Sequence, residues 1–261
     1  MNDLEMYREQ LAMCDDKMID ALIERNTLIE KIVSYKKKYG LPILQPVQEK
    51  KQEQRREERL REQRYRDEME DVFQRIVRNG KRVQAHQLFD YNIVLIGFMG
   101  VGKSTVSDYL STMFAMEVVE MDQVIAEREA MCIPDIFAVY GEAYFRDKET
   151  ALLVELQKEK NVIISCGGGA ALRAENVAEM KKNGRVVLLT ARPGTIYERV
   201  KDSTDRPLLN GNNNEAYIAE LMEKRREKYE AAADIVVHTD QKSVLQICEE
   251  LVRKLTEQER A

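Results

Sequence analysis

The sequence predicts an α/β domain on a five-stranded parallel sheet, preceded by an all-α domain of three helices. Three observations carry that prediction. In residues 92–105, NIVLIGFMGVGKST, an apolar run reading as a buried parallel strand ends in Gly97-x-x-x-x-Gly102-Lys103-Ser104. Beyond it, short apolar runs at 116–120, 161–166, 185–190 and 235–238 alternate with helical patterns such as 142–158, 215–231 and 243–255. Alternation of this kind means a parallel sheet covered on both faces. Before it, residues 1–89 hold helical periodicity and no strand pattern. The expected domains are therefore 1–89 and 90–261.

The first helix is expected over about 4–38. Leu4, Leu11, Met18, Leu22, Ile29 and Ile32 recur at helical steps, and Gly40-Leu41-Pro42 ends the run. Arg25 and Lys36 lie eleven residues apart, which at about 100° per residue puts them on nearly the same face. Arg8 is rotated by roughly 100° from Arg25, so on one straight helix it does not easily serve the same pocket and could serve that of a partner chain. The stretch 48–71 is almost wholly charged or Gln, with acids and bases interleaved, and reads as a solvated helix held by ion pairs. A third helical pattern runs from Met69 through Val72, Phe73, Ile76, Val77 and Val83 to Leu88, with Asn79-Gly80 as a weak spot. Three helices with so little apolar surface make a thin core, which calls for a second copy.

The loop at 97–104 points to a polyphosphate. Glycines let the backbone curl so that successive N–H groups of Gly100, Val101, Gly102, Lys103, Ser104 and Thr105 face inward, and the helix behind adds its positive dipole end. Lys103 is expected on the β- and γ-phosphates and Ser104 on Mg²⁺. After the second strand comes Glu120-Met121-Asp122, at the carboxyl edge where open α/β sheets bind ligands. Next come Gly141-Glu-Ala-Tyr-Phe-Arg146, the glycines of Ser165-Cys-Gly167-Gly168-Gly169, and Asp205-Arg206-Pro-Leu-Leu before a polar stretch reading as a lid. The last element is Leu221-Met-Glu-Lys-Arg225-Arg-Glu-Lys-Tyr229.

Composition narrows the classes. Of the 261 residues, 44% are apolar and 33% charged. Residues 1–89 carry 19 Lys and Arg against 17 acids, a net of +2, and the remainder 22 against 29, a net of −7. Neither part is basic enough to suggest nucleic acid. Cys14, Cys132, Cys166 and Cys248 form no CxxC pair, which predicts reduced thiols and a cytoplasmic location. No apolar run approaches membrane-spanning length, and MNDLEMYREQ lacks the apolar core of a signal peptide.

The run YREQLAMCDDKMIDALIERNTLIEKIVSYKKKYGLPILQP, then QE, then FQRIVRNGKRVQ, resembles the all-helical class of chorismate mutase. The resemblance implies an intertwined dimer, a homodimer through residues 1–89, converting chorismate to prephenate. Arg8 would then reach into the partner's site and Arg25 would grip a substrate carboxylate. Lys36 and Gln84 would donate to the ether oxygen, and Glu49 would hold the ring hydroxyl. The family usually has Arg where this chain has Gln48, an acid often where it has Gln45, and Ser where it has Gly80. The alternative for this domain is a catalytically silent dimerisation or metabolite-sensing module.

The later motifs, in their order, resemble shikimate kinase over roughly residues 90–258. That resemblance implies a P-loop kinase using ATP and Mg²⁺ to phosphorylate the shikimate 3-hydroxyl. Asp122 would take the hydroxyl proton. Arg146 and Arg225 would pair with the carboxylate, with Gly168 and Gly169 lining the same pocket. Arg206 would close on the phosphates and Arg199 would stack on adenine. The family commonly has Asp where this chain has Glu120, which keeps a carboxylate for the Mg²⁺ shell.

Overall fold

A computed structural model describes residues 2–201 and 214–258. The chain divides into two compact units, Met1–Leu88 and Phe89–Ala261.

The first unit is three helices, α1 (Asp3–Tyr39), α2 (Pro46–Leu60) and α3 (Arg66–Leu88). Asn2 caps α1 by accepting from the Glu5 amide while the Glu5 carboxylate accepts from the Asn2 amide. Gly40 ends α1 at φ 65°, a left-handed position that suits glycine. α1 packs on α3, yet among its described residues only Val33 is buried. Leu4, Leu11, Met18, Leu22 and Ile32 lie exposed. The Asn79-Gly80 weak spot does not break α3. Gly80 is buried within it, and a Cβ there would stand 2.7 Å from both Arg25 Nη1 and Ile29 Cδ1. Packing against α1 overrides a propensity cost of about 1 kcal/mol.

The second unit is the α/β fold. Its strands are β1 (Asn92–Ile96), β2 (Glu117–Glu120), β3 (Val162–Ser165), β4 (Gly184–Thr190) and β5 (Ile235–His238). All pairings are parallel, in the order β2-β3-β1-β4-β5. The expected strands sit within a residue of these bounds. The helices are α4 (Lys103–Phe114), α5 (Met121–Glu129), α6 (Ile133–Leu156), α7 (Ala174–Lys182), α8 (Pro193–Val200), α9 (Glu215–Ala232) and α10 (Val244–Gln258), with a 3₁₀ turn at Ala170–Leu172. The helix expected over 142–158 is the second part of α6. Gly141, at φ 83° and ψ 169°, turns the chain sharply inside it, so an earlier helical segment precedes the expected start.

β1 is buried along its whole length. Its side chains alternate between the two sheet faces. Val94 and Ile96 join Met121, Ile136, Phe145, Leu152 and Ile164 in one core. Ile93, Leu95, Leu110, Phe114 and Leu251 are buried as well. Each such fully buried side chain contributes on the order of 1.5–3 kcal/mol. Because β3 lies between β1 and β2 while β4 flanks β1 on its other side, the chain reverses direction across the sheet at β1. Open sheets form their ligand crevice at such a point, beyond the carboxyl ends of the strands. No helix of the described residues is long and apolar enough to cross a membrane.

Candidate active sites

In the α/β unit, the loop from β1 to α4 carries Gly97, Gly100 and Gly102 at φ 140°, 76° and 101°. A Cβ on Gly97 would strike the Leu189 carbonyl oxygen. Lys103 opens α4, and its Nζ donates to the carbonyls of Gly97 (2.9 Å) and Phe98 (3.2 Å). The loop faces a cavity of about 570 Å³, whose lining includes residues 100–105, Glu120, Asp122, Gly168 and Arg199. Arg199 Nη1 donates to the Val101 carbonyl (3.0 Å) and to Thr239 Oγ1 (3.2 Å), which ties an exposed guanidinium to the loop. Glu120 ends β2, and its Oε1 accepts from Ser107 Oγ at 2.9 Å. Among the described residues no group of three or more His, Cys, Asp or Glu could hold a metal by itself. A Mg²⁺ ion keeps several waters and shares phosphate oxygens with one or two protein ligands, so Ser104 and Glu120 beside the loop fit that pattern. The loop, with its glycine conformations and its held ammonium, fits a nucleotide polyphosphate.

A second cluster gathers around residues 167–169, past the end of β3. Arg146, on α6 and 9% exposed, ion-pairs with Glu142 Oε1 and Glu149 Oε2, both at 2.8 Å. Gly169 has no side chain to collide with that guanidinium, and Gly167 has none to collide with the carboxylates of Asp122 and Glu149. Glu149 is fully buried. Burial lifts its pKa to about 7 against the pull of Arg146. Its Oε1 is buried without a hydrogen-bond partner among the described residues. Burial works to lower the Arg146 pKa, but Glu149 and Glu142 outweigh it and the value is raised. From α9, Arg225 lies 5.7 Å from the Phe98 ring centroid, and its Nη1 is buried with no partner among the described residues. Tyr229, one turn further, donates its hydroxyl to the Gly168 carbonyl. Burial raises its pKa, with Arg225 and Arg146 pulling the other way.

Of the expected residues in this unit, residues 100–105, Glu120, Asp122, Gly168 and Arg199 share one cavity, and Gly169 and Arg146 adjoin it through Gly167. Arg206 and residues 210–213 of the expected lid lie outside the described residues. Glu149 and Tyr229 were missed. Each sits three or four positions after an expected arginine, on the same helix face, and that spacing was the available signal.

The helical unit has its own cavity, of about 510 Å³, with residues from all three helices. Arg25, Lys36, Glu49 and Gln84 line it; Arg8 is exposed and is not among the lining residues. Arg25 Nη1 donates to the Ile76 carbonyl (3.4 Å) and Lys36 Nζ to the Ile43 carbonyl (2.9 Å). Lys81 pairs with Glu49 at 3.0 Å. Burial, then the charge of Arg56, lowers the Arg25 pKa. Burial also lowers that of Lys36, against the pull of Glu49. The result is a compact cationic pocket whose lining holds no Ser, Thr, Cys or His, suited to holding an anion in one conformer.

The shikimate kinase family profile matches residues 99–256, and the chorismate mutase type II profile matches residues 7–85. A shikimate kinase of Persephonella marina is 43% identical over 164 residues, covering 63% of this chain and 98% of the relative. One of Bacillus mycoides is 44% identical over 166 residues, covering 64% and 99%. Among solved structures, shikimate kinase from Acinetobacter baumannii in complex with shikimate superposes with a TM-score of 0.62 at 30% identity, covering 66% of this chain and 96% of that one. Shikimate kinase from Aquifex aeolicus gives 0.57 at 38% identity, covering 64% and 98%.

Proposed function

The chain belongs to the shikimate kinase family and carries a chorismate mutase type II domain in front, and from that premise we propose how its residues divide two reactions. One is phosphorylation of shikimate at its 3-hydroxyl, with ATP as the family's phosphoryl donor. The other is rearrangement of chorismate to prephenate. The observation that carries the kinase assignment is the convergence of Asp122, Arg146 and the glycines of 167–169 beside the phosphate loop.

Asp122 orients the acceptor hydroxyl and takes its proton. Arg146, steadied by Glu142 and Glu149, binds the acceptor's carboxylate together with Arg225, whose unpartnered Nη1 is a ready donor. Lys103 balances phosphate charge. Ser104 and Glu120 would hold Mg²⁺, and the loop amides of 100–105 would hold the nucleotide, with Arg199 against adenine and Arg206 closing on the phosphates. When bound, the nucleotide and its ion supply the phosphoryl group and neutralise charge on it.

The second reaction needs no acid, base or nucleophile. It needs a dianion held compactly, with donors aimed at the oxygen that gains charge. Arg25 grips a carboxylate, Lys36 and Gln84 face the ether oxygen, and Glu49 takes the ring hydroxyl. The cationic cavity favours this over a silent domain. A homodimer through residues 1–89 would cover the apolar stripe of α1 and bring the partner's Arg8 to each site. Light scattering that found a monomer would remove that part.

The test uses the full-length protein in two assays, shikimate-dependent ADP release and chorismate loss. Asp122→Asn should slow the first by about 10²–10⁴-fold and leave the second unchanged. Arg25→Ala should do the reverse, by about 10²–10³-fold. Absence of either turnover in the wild-type protein would refute that half of the reading.

A further inference from the structure

The cavity of the helical unit contains a cation that neither the helical wheel nor the resemblance singles out. Arg56 lies on α2, four residues past Gln52 and eight past Gln48. That spacing puts the three on one face of the helix, and all three line the cavity. The Nε of Arg56 is buried with no hydrogen-bond partner among the described residues. A guanidinium N–H withdrawn from water and left unmatched is costly. Its charge is also felt across the cavity, because Arg56 is the strongest influence after burial in lowering the Arg25 pKa. Two like charges facing one enclosed space are unfavourable until an anion lies between them.

Counting the lining groups sharpens this. Arg25, Lys36, Arg56 and Lys81 stand against Glu49 and Glu53, a net of +2. Lys81 is already engaged by Glu49 at 3.0 Å. Arg25 rests against α3 in the space that Gly80 leaves, and Arg56 stands on α2. We propose that Arg56 is a substrate-binding residue of this cavity, gripping one carboxylate of a compact dicarboxylate whose other carboxylate is held by Arg25. This rests on the reading of residues 7–85 as an active mutase. Gln48, near the start of α2, is neutral and supplies no second anchor. Arg56 delivers one from two turns further along the same face. A bound dianion offsets the net charge that these lining groups of one chain carry, and losing Arg56 removes one of their cations.

The experiment measures prephenate formation by the full-length protein and, by calorimetry, its binding of chorismate. Arg56→Gln keeps a polar side chain of similar helix propensity while removing the charge and the guanidinium. It should lower kcat/KM by about 10²–10³-fold and weaken chorismate binding. Arg56→Lys should recover part of the loss. Adding Gln48→Arg to Arg56→Gln should restore about tenfold or more, since the charge returns to the same face. Shikimate phosphorylation should stay at its wild-type rate throughout, and circular dichroism should show wild-type helix content and melting, which shows that the helical unit of each variant folds. If Arg56→Gln rearranges chorismate at the wild-type rate, this inference is overturned and the mutase reading stands. If the wild-type protein neither binds nor rearranges chorismate, both fall.

Discussion

In the α/β unit the candidate site residues meet where strands end, and the backbone does the holding. Gly97, Gly100 and Gly102 shape the phosphate loop, while Gly167 and Gly169 bring the chain against Asp122, Glu149 and Arg146. In the helical unit the backbone stands off. Long side chains, Arg25, Lys36, Arg56 and Gln84, reach inward from helix faces into the cavity. The difference teaches what each site can tolerate. A site held by backbone has no slack, because moving an atom means moving a strand. A site held by the tips of flexible side chains can re-form around a change of one residue.

The two buried-glycine sites test this directly. At Gly167 a Cβ would press on the Asp122 and Glu149 carboxylates, and Glu149 is fully buried. Gly167→Ala should cut shikimate kcat/KM by about 10²-fold through misplacement alone. At Gly80 the same methyl would meet only the ends of Arg25 and Ile29, which can swing aside. Gly80→Ala should slow prephenate formation by less than about tenfold, while α3 gains up to about 1 kcal/mol of helix propensity. Equal losses at both positions would end the distinction between backbone-held and side-chain-held sites.

A smaller effect comes from Glu149. Its folded pKa, about 7, lies above its ordinary value of 4.5 because burial opposes ionisation. Between those values the folded state binds the extra proton, so its contribution to stability is full below pH 4.5 and is lost as pH rises through about 7. Relative to Glu149→Gln, the wild-type protein should therefore lose stability across that window. Denaturation midpoints of the two proteins at pH 5 and pH 8 measure it, and a pH-independent difference would count against a buried titrating carboxyl.

The smallest effect belongs to Gly40. An alanine there must take the left-handed conformation, at a cost of about 1–2 kcal/mol. Gly40→Ala should lower the melting midpoint of the helical unit and leave shikimate phosphorylation untouched. A matching fall in kinase activity would mean that the two units do not fold separately.

Much of this was readable before any coordinates. The phosphate loop and the strands around it are local signals, a few residues of fixed type in sequence, and they emerged within a residue of expectation. Arg25 and Lys36 were placed on one face by the helical period alone. Three features were not readable. Gly80 looked like a defect because its value lies in a guanidinium packed on it from a helix 55 residues away in sequence. Glu149 has the spacing of an ordinary i, i+3 ion-pair partner of Arg146, and nothing local in the sequence says that it is shut away from water. Arg56 was hidden in a run of charge, where one inward-facing cation cannot be told from its solvated neighbours.

The exposed apolar stripe of α1 has a consequence for how the chain comes to be folded. At 37 residues and about 1.5 Å per residue, the helix is far longer than anything its own unit can wrap. The N-terminal unit also leaves the ribosome first. If a second copy is what covers that stripe, its folding is a bimolecular event, rising with chain concentration. The unit that follows closes its apolar core within one copy. Dilution would then switch off the rearrangement before the phosphotransfer, so the ratio of the two activities in one sample would be a gauge of how much chain is present.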